Sequence, residues 1–451
     1  MKHAIMAACA AVCCAASAKG VWLKGETDRD PLGYKTGEKM TFTLTLEDAA
    51  DLPRGMEVVW TRTGDDGRTE TGRAPADAAK PVVVATSLDR PGFVRVYADV
   101  RLADGTPWIP SGKPAKKDRA GNYPDAVYFD GGAGADVAAI RQSAPEPKDF
   151  DLFWARHRAA LAAVPMDGAR CDELPSRNLA VRIFAVSVPC AGPKPATGYL
   201  FVPTVEGKFP AEATFYGYEG SWSEWATKAP DGTKVDGKKL KLALSAHGFE
   251  LNREREYYKA ERAKATSNGY GHAFDPAQNA DPEKAYFCGM TYRVMRGLEY
   301  LKSRPEWNGR DLAVSGPSQG GLQAIWGAAL VPGVTEARIL IPWCCDIAGA
   351  ANGRNHGEWY VEWKPALGYY DPVNMAKRIP KTCRVDVTRA GLGDYTCPPS
   401  GLMAFWNNLS APRRIVWVQG STHSYVPPRP QRVTWGGSGW SSPGAESGSV
   451  D

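Results

Sequence analysis

The sequence contains no apolar run that reaches the ~20 residues of a membrane-spanning helix. It also lacks the CxxC, HExxH and clustered Cys/His patterns from which zinc sites are built, so we expect no metal and no other cofactor. Positive charge is dilute, because 55 Lys and Arg against 50 Asp and Glu leave a formal net charge of +5 over 451 residues. A nucleic-acid surface needs basic residues concentrated on one face, so no nucleic-acid partner is expected.

The composition is that of an ordinary globular protein. Hydrophobic residues make up 43% and charged residues 23%, and 451 residues are enough for two or three domains. The chain is rich in aromatic side chains, with 15 Trp and 18 Tyr. Flat amphipathic rings suit binding surfaces and the apolar faces of sugars. The aromatic content is therefore compatible with a carbohydrate ligand.

The N-terminus has the parts of an export signal. A basic start, Met1–His3, precedes an apolar run of small side chains over residues 4–18. Ala16-Ser17-Ala18 supplies the small side chains that a signal peptidase requires. We therefore expect residues 1–18 to be a signal peptide and the protein to be secreted or periplasmic. A lipid anchor ranks second, because Cys13 follows the larger Val12, and Cys9, which follows Ala8, leaves only a very short apolar run.

Residues 20–135 show short alternating runs separated by turn clusters. Apolar and polar residues alternate with a period of two, and no helical pattern of useful length interrupts them. This predicts a small all-β, immunoglobulin-like sandwich. The strand candidates are Met40–Leu46, Met56–Thr63, Pro81–Thr86 and Gly92–Leu102. Asp65, Asp66 and Asp130 are interpreted as turn formers without chemistry.

A second domain is predicted over residues 145–432. Residues 110–145 are rich in Gly, Pro, Lys and Ala and are interpreted as a linker or loose wrap. Beyond them strand-like runs alternate with helical ones, which is typical of an α/β domain with a mainly parallel sheet. The Gly/Ser-rich tail, 436–451, is expected to be disordered. Because every catalytic candidate lies after the linker, the second domain is expected to be active without the sandwich.

The sharpest motif is Gly316-Pro317-Ser318-Gln319-Gly320-Gly321. It follows a predicted strand, Asp311–Ser315, and precedes a helical run, Leu322–Leu330. A G-x-S-x-G turn between strand and helix is so tight that bulky side chains are excluded two residues before and after the serine. The serine hydroxyl then stands exposed above the sheet. Ser318 is therefore the predicted nucleophile.

A serine hydroxyl needs a base, and the base needs an acid that holds it in the right tautomer. Of the two His residues after Ser318, His423 lies in a loop directly after the predicted strand Arg414–Val418, so it is the predicted base, and His356 is assigned to the surface or to substrate contact. Asp394 lies just past a strand end, where parallel sheets place catalytic groups. It is preferred as the acid over Asp346, Glu358, Glu362, Asp371 and Asp386.

These residues resemble a known family. Gly316–Gly321, Gly391–Pro399, the His423 loop and Phe215-Tyr216-Gly217-Tyr218 are similar to the motifs of the acetyl xylan esterase and cephalosporin C deacetylase family of α/β-hydrolases. The resemblance covers about residues 145–430. It implies an α/β-hydrolase fold with a mainly parallel sheet, preceded here by the added sandwich. It also implies Ser318, Asp394 and His423 as nucleophile, acid and base.

The resemblance also implies an oxyanion hole made of two backbone N–H groups, those of Gln319 and Tyr218. The first would lie at a helix N-terminus and the second in a Gly-flanked loop, which are places where backbone donors are free. The sequence differs from the family pattern at Ala246-His247-Gly248-Phe249, where the family has Arg-Gly-Gln. It differs again at Ser424, where the family commonly has Glu after the catalytic His.

Together these features predict a secreted serine esterase that removes acetyl groups from carbohydrate, with acetylated xylan or xylo-oligosaccharides as substrate. Trp222, Trp359 and Trp363 are the predicted substrate-binding residues, while His247 and His272 are assigned structural or loop contacts. A broad acyl hydrolase or a peptidase on the same scaffold is one alternative. A glycan-binding protein with a vestigial hydrolase domain is another. The sequence leaves the oligomeric state open.

Overall fold

The structure is a computed structural model that describes residues 20–49, 52–112, 116–117, 123, 125–218 and 229–438. The predicted signal peptide, Trp222 and all but the first residues of the predicted tail lie outside the described residues. In the part that is described, no helix has the length and apolarity needed to cross a membrane.

The first seven strands form two antiparallel sheets. One has the order β1-β2-β5 and the other β4-β3-β6-β7. Burial alternates residue by residue along β2, because successive side chains of a strand point to opposite faces. Phe42 and Val84 from one sheet share a hydrophobic core with Val58 and Val94 from the other, which makes the domain a β-sandwich. The strands are β1 (Trp22–Thr27), β2 (Met40–Glu47), β3 (Glu57–Gly64), β4 (Glu70–Pro75), β5 (Val82–Thr86), β6 (Gly92–Arg101) and β7 (Tyr128–Ala135).

The remaining strands form one ten-stranded sheet with the order β17-β16-β15-β14-β13-β11-β12-β10-β9-β8. The six strands from β16 to β12 are parallel, and antiparallel strands extend the sheet on both sides. The predicted α/β-hydrolase architecture with a mainly parallel sheet is thus confirmed. The strands are β8 (Arg170–Leu174), β9 (Val181–Val188), β10 (Ala196–Pro203), β11 (Phe209–Phe215), β12 (Leu240–Leu244), β13 (Trp307–Ser318), β14 (Glu336–Pro342), β15 (Arg384–Gly391), β16 (Arg413–Val418) and β17 (Arg432–Gly436).

Helices cover the sheet and bury its apolar residues. The central strand β13 is apolar at Leu312 and Val314, which is expected of a strand covered on both faces, and both are fully buried. Trp326 on a covering helix is also fully buried and donates its indole N–H to the carbonyl of Tyr370 at 2.8 Å. The helices are α1 (Phe150–Ala162), α2 (Arg255–Lys264), α3 (Tyr286–Ser303), α4 (Gln319–Leu330), α5 (Pro372–Met375) and α6 (Pro399–Asn408).

Two sequence-based interpretations of the linker region are wrong. Strand β7 lies inside residues 110–145, and its small residues, Gly131–Ala133 among them, let it pack closely on the hydrolase domain, which is why its composition resembled a linker. Asp130 is a strand residue and not a turn former, since its carboxylate pairs with Arg95 at 2.6 Å from the neighbouring strand. At the other end of the chain, β17 continues the sheet to Gly436.

Candidate active site

Ser318 lies at a sharp turn between β13 and α4. Its backbone has φ 53° and ψ −119°, a conformation that costs free energy for a residue with a side chain. The neighbouring glycines make the turn possible. A Cβ on Gly316 would lie 2.6 Å from the backbone carbon of Gly320, and a Cβ on Gly320 would overlap the carbonyl of Phe215. The local geometry is therefore the one that the G-x-S-x-G pattern predicts.

Asp394 and His423 meet at the carboxyl edge of the parallel sheet. Asp394 follows β15 and His423 follows β16, which are neighbouring strands, so their loops emerge side by side. Asp394 Oδ2 lies 3.0 Å from His423 Nδ1. Asp394 Oδ1 accepts hydrogen bonds from the backbone N–H groups of Thr396 and Cys397, both at 3.1 Å. The carboxylate is thus buried, fully hydrogen-bonded and aimed at the imidazole.

The environment of His423 favours its protonated form. Burial by itself would lower the pKa of the imidazole, but the charge and hydrogen bond of Asp394 outweigh burial and raise the pKa above its ordinary value. An imidazole held in this way at Nδ1 leaves Nε2 to exchange a proton with a second group. Arg389 donates from Nη2 to the backbone carbonyl of His423 at 3.1 Å and helps to hold the loop.

Two rival acids have other roles in the structure. Asp371 is completely buried, and its carboxylate caps α5 by accepting from the N–H of Val373 at 2.9 Å. Asp386 lies within β15 and forms an ion pair with Arg414 at 2.6 Å. Each carboxylate is thus committed to a structural contact, as their sequence positions suggested.

The two residues predicted to form the oxyanion hole flank the serine. Gln319 begins α4, where backbone N–H groups have no partner within the helix. Tyr218 lies three residues past the end of β11. The intervening Gly217 lies against the serine turn, because a Cβ placed on it would be 3.9 Å from the Cβ of Ser318. The tertiary structure therefore brings the Tyr218 loop into contact with the turn.

His272, which was assigned a structural or loop contact from the sequence, contacts both of these residues. Its Nε2 lies 2.9 Å from Gln319 Oε1, and its ring stacks on that of Tyr218 with centroids 3.8 Å apart. Tyr218 Oη also donates to the backbone carbonyl of His272 at 2.9 Å. Burial lowers the pKa of His272 to about 3, so the imidazole is neutral and can donate from Nε2. No local pattern around His272 could have shown a contact between segments so far apart.

The predicted aromatic residues differ in where they lie. Trp359 is at the site, with its ring centroid 5.2 Å from that of Tyr218. Trp363 packs against the hydrophobic core, and among the described residues its ring is not one of those that contact the ring of Tyr218. The structure adds Trp343 and Phe274, which the sequence analysis missed, with centroids 5.8 and 5.6 Å from Tyr218. His356 is exposed, and its ring is tilted against that of Tyr360, which is 49% exposed.

Two groups in the described residues bring metal-ligating atoms together. One consists of His157, Glu283 and Cys288, and the other of Asp394, Cys397 and His423. In the second group Cys397 Sγ lies 3.8 Å from His423 Nδ1, the nitrogen that already faces Asp394. Burial holds the pKa of the Cys397 thiol well above its usual range, so the sulfur is a neutral thiol and a poor metal ligand.

Comparisons with known proteins identify the family of the chain. A model of the acetyl xylan esterase family matches residues 135–365 and 356–435. The acetyl esterase Axe7A of Xylanibacter ruminicola is 25% identical over 433 residues, which cover 89% of this chain and 87% of that protein. Acetyl xylan esterases from a Paenibacillus species and a Thermoanaerobacterium species share the fold, each with a TM-score of 0.53 and 23% identity. Each match covers 64% of this chain. It covers 94% of the Paenibacillus protein and 92% of the Thermoanaerobacterium protein.

The two structural relatives cover a smaller share of this chain than Axe7A does, 64% against 89%. The family model spans well over half of the sequence, including β13, β15 and β16 with the loops that follow them. The chain therefore belongs to the acetyl xylan esterase family and is a carboxylic ester hydrolase.

Proposed function

We propose that this protein is a serine esterase that removes acetyl groups from carbohydrate through an acyl-enzyme. The observation that carries the proposal is the hydrogen-bonded pair of Asp394 and His423 on the loops after β15 and β16. The strained Ser318 turn ends β13 in the same parallel sheet. A base oriented by a buried carboxylate and a serine held at a tight turn are the parts that acyl transfer needs.

In this mechanism Ser318 Oγ attacks the carbonyl carbon of the acetyl ester while His423 Nε2 takes its proton. Asp394 holds the Nδ1–H and stabilises the imidazolium that forms. The backbone N–H groups of Gln319 and Tyr218 donate to the developing oxyanion. The C–O bond to the sugar breaks as His423 returns the proton to the sugar oxygen. Water, deprotonated by His423, then hydrolyses the acetyl-serine and releases acetate.

The aromatic residues support carbohydrate as the alcohol part of the substrate. Trp359 packs against Tyr218 at the site, and Tyr360, the next residue in the chain, is 49% exposed. Rings of this kind pack on the C–H faces of sugars. Acetylated xylan and xylo-oligosaccharides are the proposed substrates, in keeping with the acetyl esterase activity named for the relative from Xylanibacter. Export through residues 1–18 would bring the enzyme to a polymeric substrate.

The proposal is tested by acetate release from acetylated xylan, acetylated xylo-oligosaccharides and a non-carbohydrate aryl acetate. We expect release from the carbohydrate esters, and Ser318→Ala should reduce it by several orders of magnitude while the protein still unfolds cooperatively. Hydrolysis of amide or long-chain esters at comparable rates would favour the peptidase or broad acyl hydrolase. Glycan binding with no turnover by the wild type would favour a vestigial hydrolase domain.

A further inference from the structure

A cavity lies apart from the three side chains that carry out the proposed acyl transfer. Its volume is about 570 Å³, within the range of small-molecule sites, and none of Ser318, Asp394 and His423 lines it. The turn before β10, the segment after α2 and the first half of α3 enclose it. Tyr286 and Tyr292 contribute aromatic rings to its wall, and Arg293 contributes a guanidinium group.

Arg293 is a buried charge without a counter-charge among the described residues. Arg293 is 3% exposed, and its Nε donates a hydrogen bond to the backbone carbonyl of Ala246 at 2.8 Å. No carboxylate of the described ranges forms an ion pair with it. Burial lowers the pKa of Arg293, but a guanidinium does not lose its proton in a protein. Arg293 lines the cavity, so an unneutralised charge lies at its wall.

The other charges around the cavity are largely committed to one another. Lys194 and Lys264 both bond to the carboxylate of Glu261. Lys284 pairs with Asp281 at 3.2 Å. These pairs leave the neighbourhood of Arg293 with more positive than negative charge.

One acid does line the cavity among the described residues. Glu283 has a side chain that is 57% exposed, and its Oε1 lies 3.1 Å from His157 Nε2. The Glu283 carboxylate contacts His157 and solvent, and it forms no ion pair with Arg293. A buried unpaired cation costs several kcal/mol, so a ligand that neutralises Arg293 gains that free energy.

We propose that this cavity is a carboxylate-binding site in which the Nη groups of Arg293 take both oxygens of the anion. A guanidinium fork matches a carboxylate in a bidentate, planar pair. Acetate alone would leave most of the volume empty. The Tyr286 and Tyr292 rings suit the remainder of a sugar acid, so a uronate fits the cavity better than acetate does. The uronate assignment rests on the proposed carbohydrate function, whereas the carboxylate site does not.

The cavity is joined to the oxyanion-hole residues through buried rings. Tyr286 and His247 line it, and Tyr286 Oη lies 2.8 Å from His247 Nδ1. The His272 ring is centred 4.7 Å from that of His247 and 5.1 Å from that of Tyr286. His272 in turn contacts Gln319 at 2.9 Å. An acidic sugar bound here would thus lie directly behind the groups that hold the proposed oxyanion hole.

The test is isothermal titration calorimetry of the full chain at low chloride with sodium glucuronate, sodium acetate and glucose. Using the Ser318→Ala protein makes the result independent of turnover, so failure here and failure of the proposed esterase are separate outcomes. We expect one saturable site for glucuronate, weaker binding of acetate and none of glucose. Arg293→Gln should weaken glucuronate binding at least about tenfold, and Arg293→Lys should weaken it less.

Lys284→Gln provides a second variant that does not disturb the interior, because Lys284 is 76% exposed. It should weaken glucuronate binding by a few fold. Lys259→Gln, an exposed lysine of α2 that does not line the cavity, is the matched control and should leave binding unchanged. Absence of saturable carboxylate binding to the folded protein would overturn the proposal. So would binding that Arg293→Gln and Lys284→Gln leave unchanged. Binding of acetate but not of glucuronate would overturn the sugar-acid assignment.

Discussion

The side-chain amide of Gln419 pairs with the backbone of Gly132 as a neighbouring strand would. Gly132 N–H donates to Gln419 Oε1 at 2.9 Å, and Gln419 Nε2 donates to the Gly132 carbonyl at 2.8 Å. Gly132 belongs to β7 of the sandwich, whereas Gln419 follows β16 and lies four residues before His423. Both groups are buried, so the pair fixes the start of the base loop against the sandwich.

The loop of the proposed acid rests on the same strand. Gly393 packs so closely on the carbonyl of Asp130 in β7 that a Cβ at this position would overlap it. Arg95 binds the Asp130 carboxylate through two hydrogen bonds of 2.8 and 2.6 Å, and its guanidinium lies 4.6 Å from the centre of the Tyr395 ring. Gly393 and Tyr395 flank Asp394 in the chain. Strand β7 therefore supports the loops of both the proposed acid and the proposed base.

Removal of the sandwich should abolish most of the activity. From the sequence, the second domain is expected to be active without the sandwich, because every catalytic candidate lies in it; a chain that begins near Ser143 tests this. The contacts of β7 lead us to expect the reverse, since Asp394 and His423 would lose the surface that positions their loops. Hydrolysis of a small aryl acetate by the shortened chain, with circular dichroism to confirm folding, measures this. Full activity of a folded shortened chain would show that the Asp394 and His423 loops keep their positions without the sandwich.

Gln419→Ala should lower kcat about 10- to 100-fold and change KM little, because a small misplacement of a catalytic group costs rate more than binding. Asn407→Ala is the matched control. Asn407 also donates its amide to two backbone carbonyls across the interface, those of Val137 and Ile140, both at 2.9 Å, but it does so from the end of α6. Both variants should lose about 1–3 kcal/mol of stability in urea unfolding. Equal kcat in the two variants would refute a positioning role for Gln419.

The pH profile should report the raised pKa of His423. The proposed base must be neutral to accept the serine proton, so kcat/KM should rise with pH through a pKa above the ordinary ~6.5 of histidine. Asp394→Asn removes the charge that raises this pKa. The acid limb should then move to lower pH and kcat should fall roughly 10³- to 10⁴-fold. Steady-state kinetics between pH 5 and 9 test both effects, and an unmoved limb would exclude Asp394 as the partner of His423.

Acyl length should be restricted by Phe274 and Trp343, the two rings packed against Tyr218 that are not assigned to the sugar. Each methylene added to an acetyl group would meet packed rings, which costs about 1–3 kcal/mol or roughly 5- to 150-fold in rate. We expect kcat/KM for aryl esters to fall steeply from acetate to butyrate. Phe274→Ala should flatten this fall, since the Phe274 ring packs against Tyr218. Butyrate turnover equal to that of acetate would contradict an acetyl-selective site.

The amino-acid sequence by itself determined the features that depend on neighbours in the chain. Alternation along Met40–Glu47 and the buried run of β13 follow from which side chains can face a core. The Gly316–Gly320 turn is local as well, because the glycines relieve clashes within the turn and with the adjacent strand. Those predictions concern distances of a few residues.

The tertiary structure alone decided which distant segments support the site. His272 and Gln319 are 47 residues apart in sequence, and Gly132 and Gln419 are 287 apart. Neither contact leaves a periodic pattern or a motif, because one buried side chain satisfying one distant polar group is compatible with many local sequences. The same holds for Arg293, whose missing counter-charge becomes visible only when the surrounding elements are packed. Local sequence sets the turn and the strands, whereas long-range packing decides how the groups on them are held.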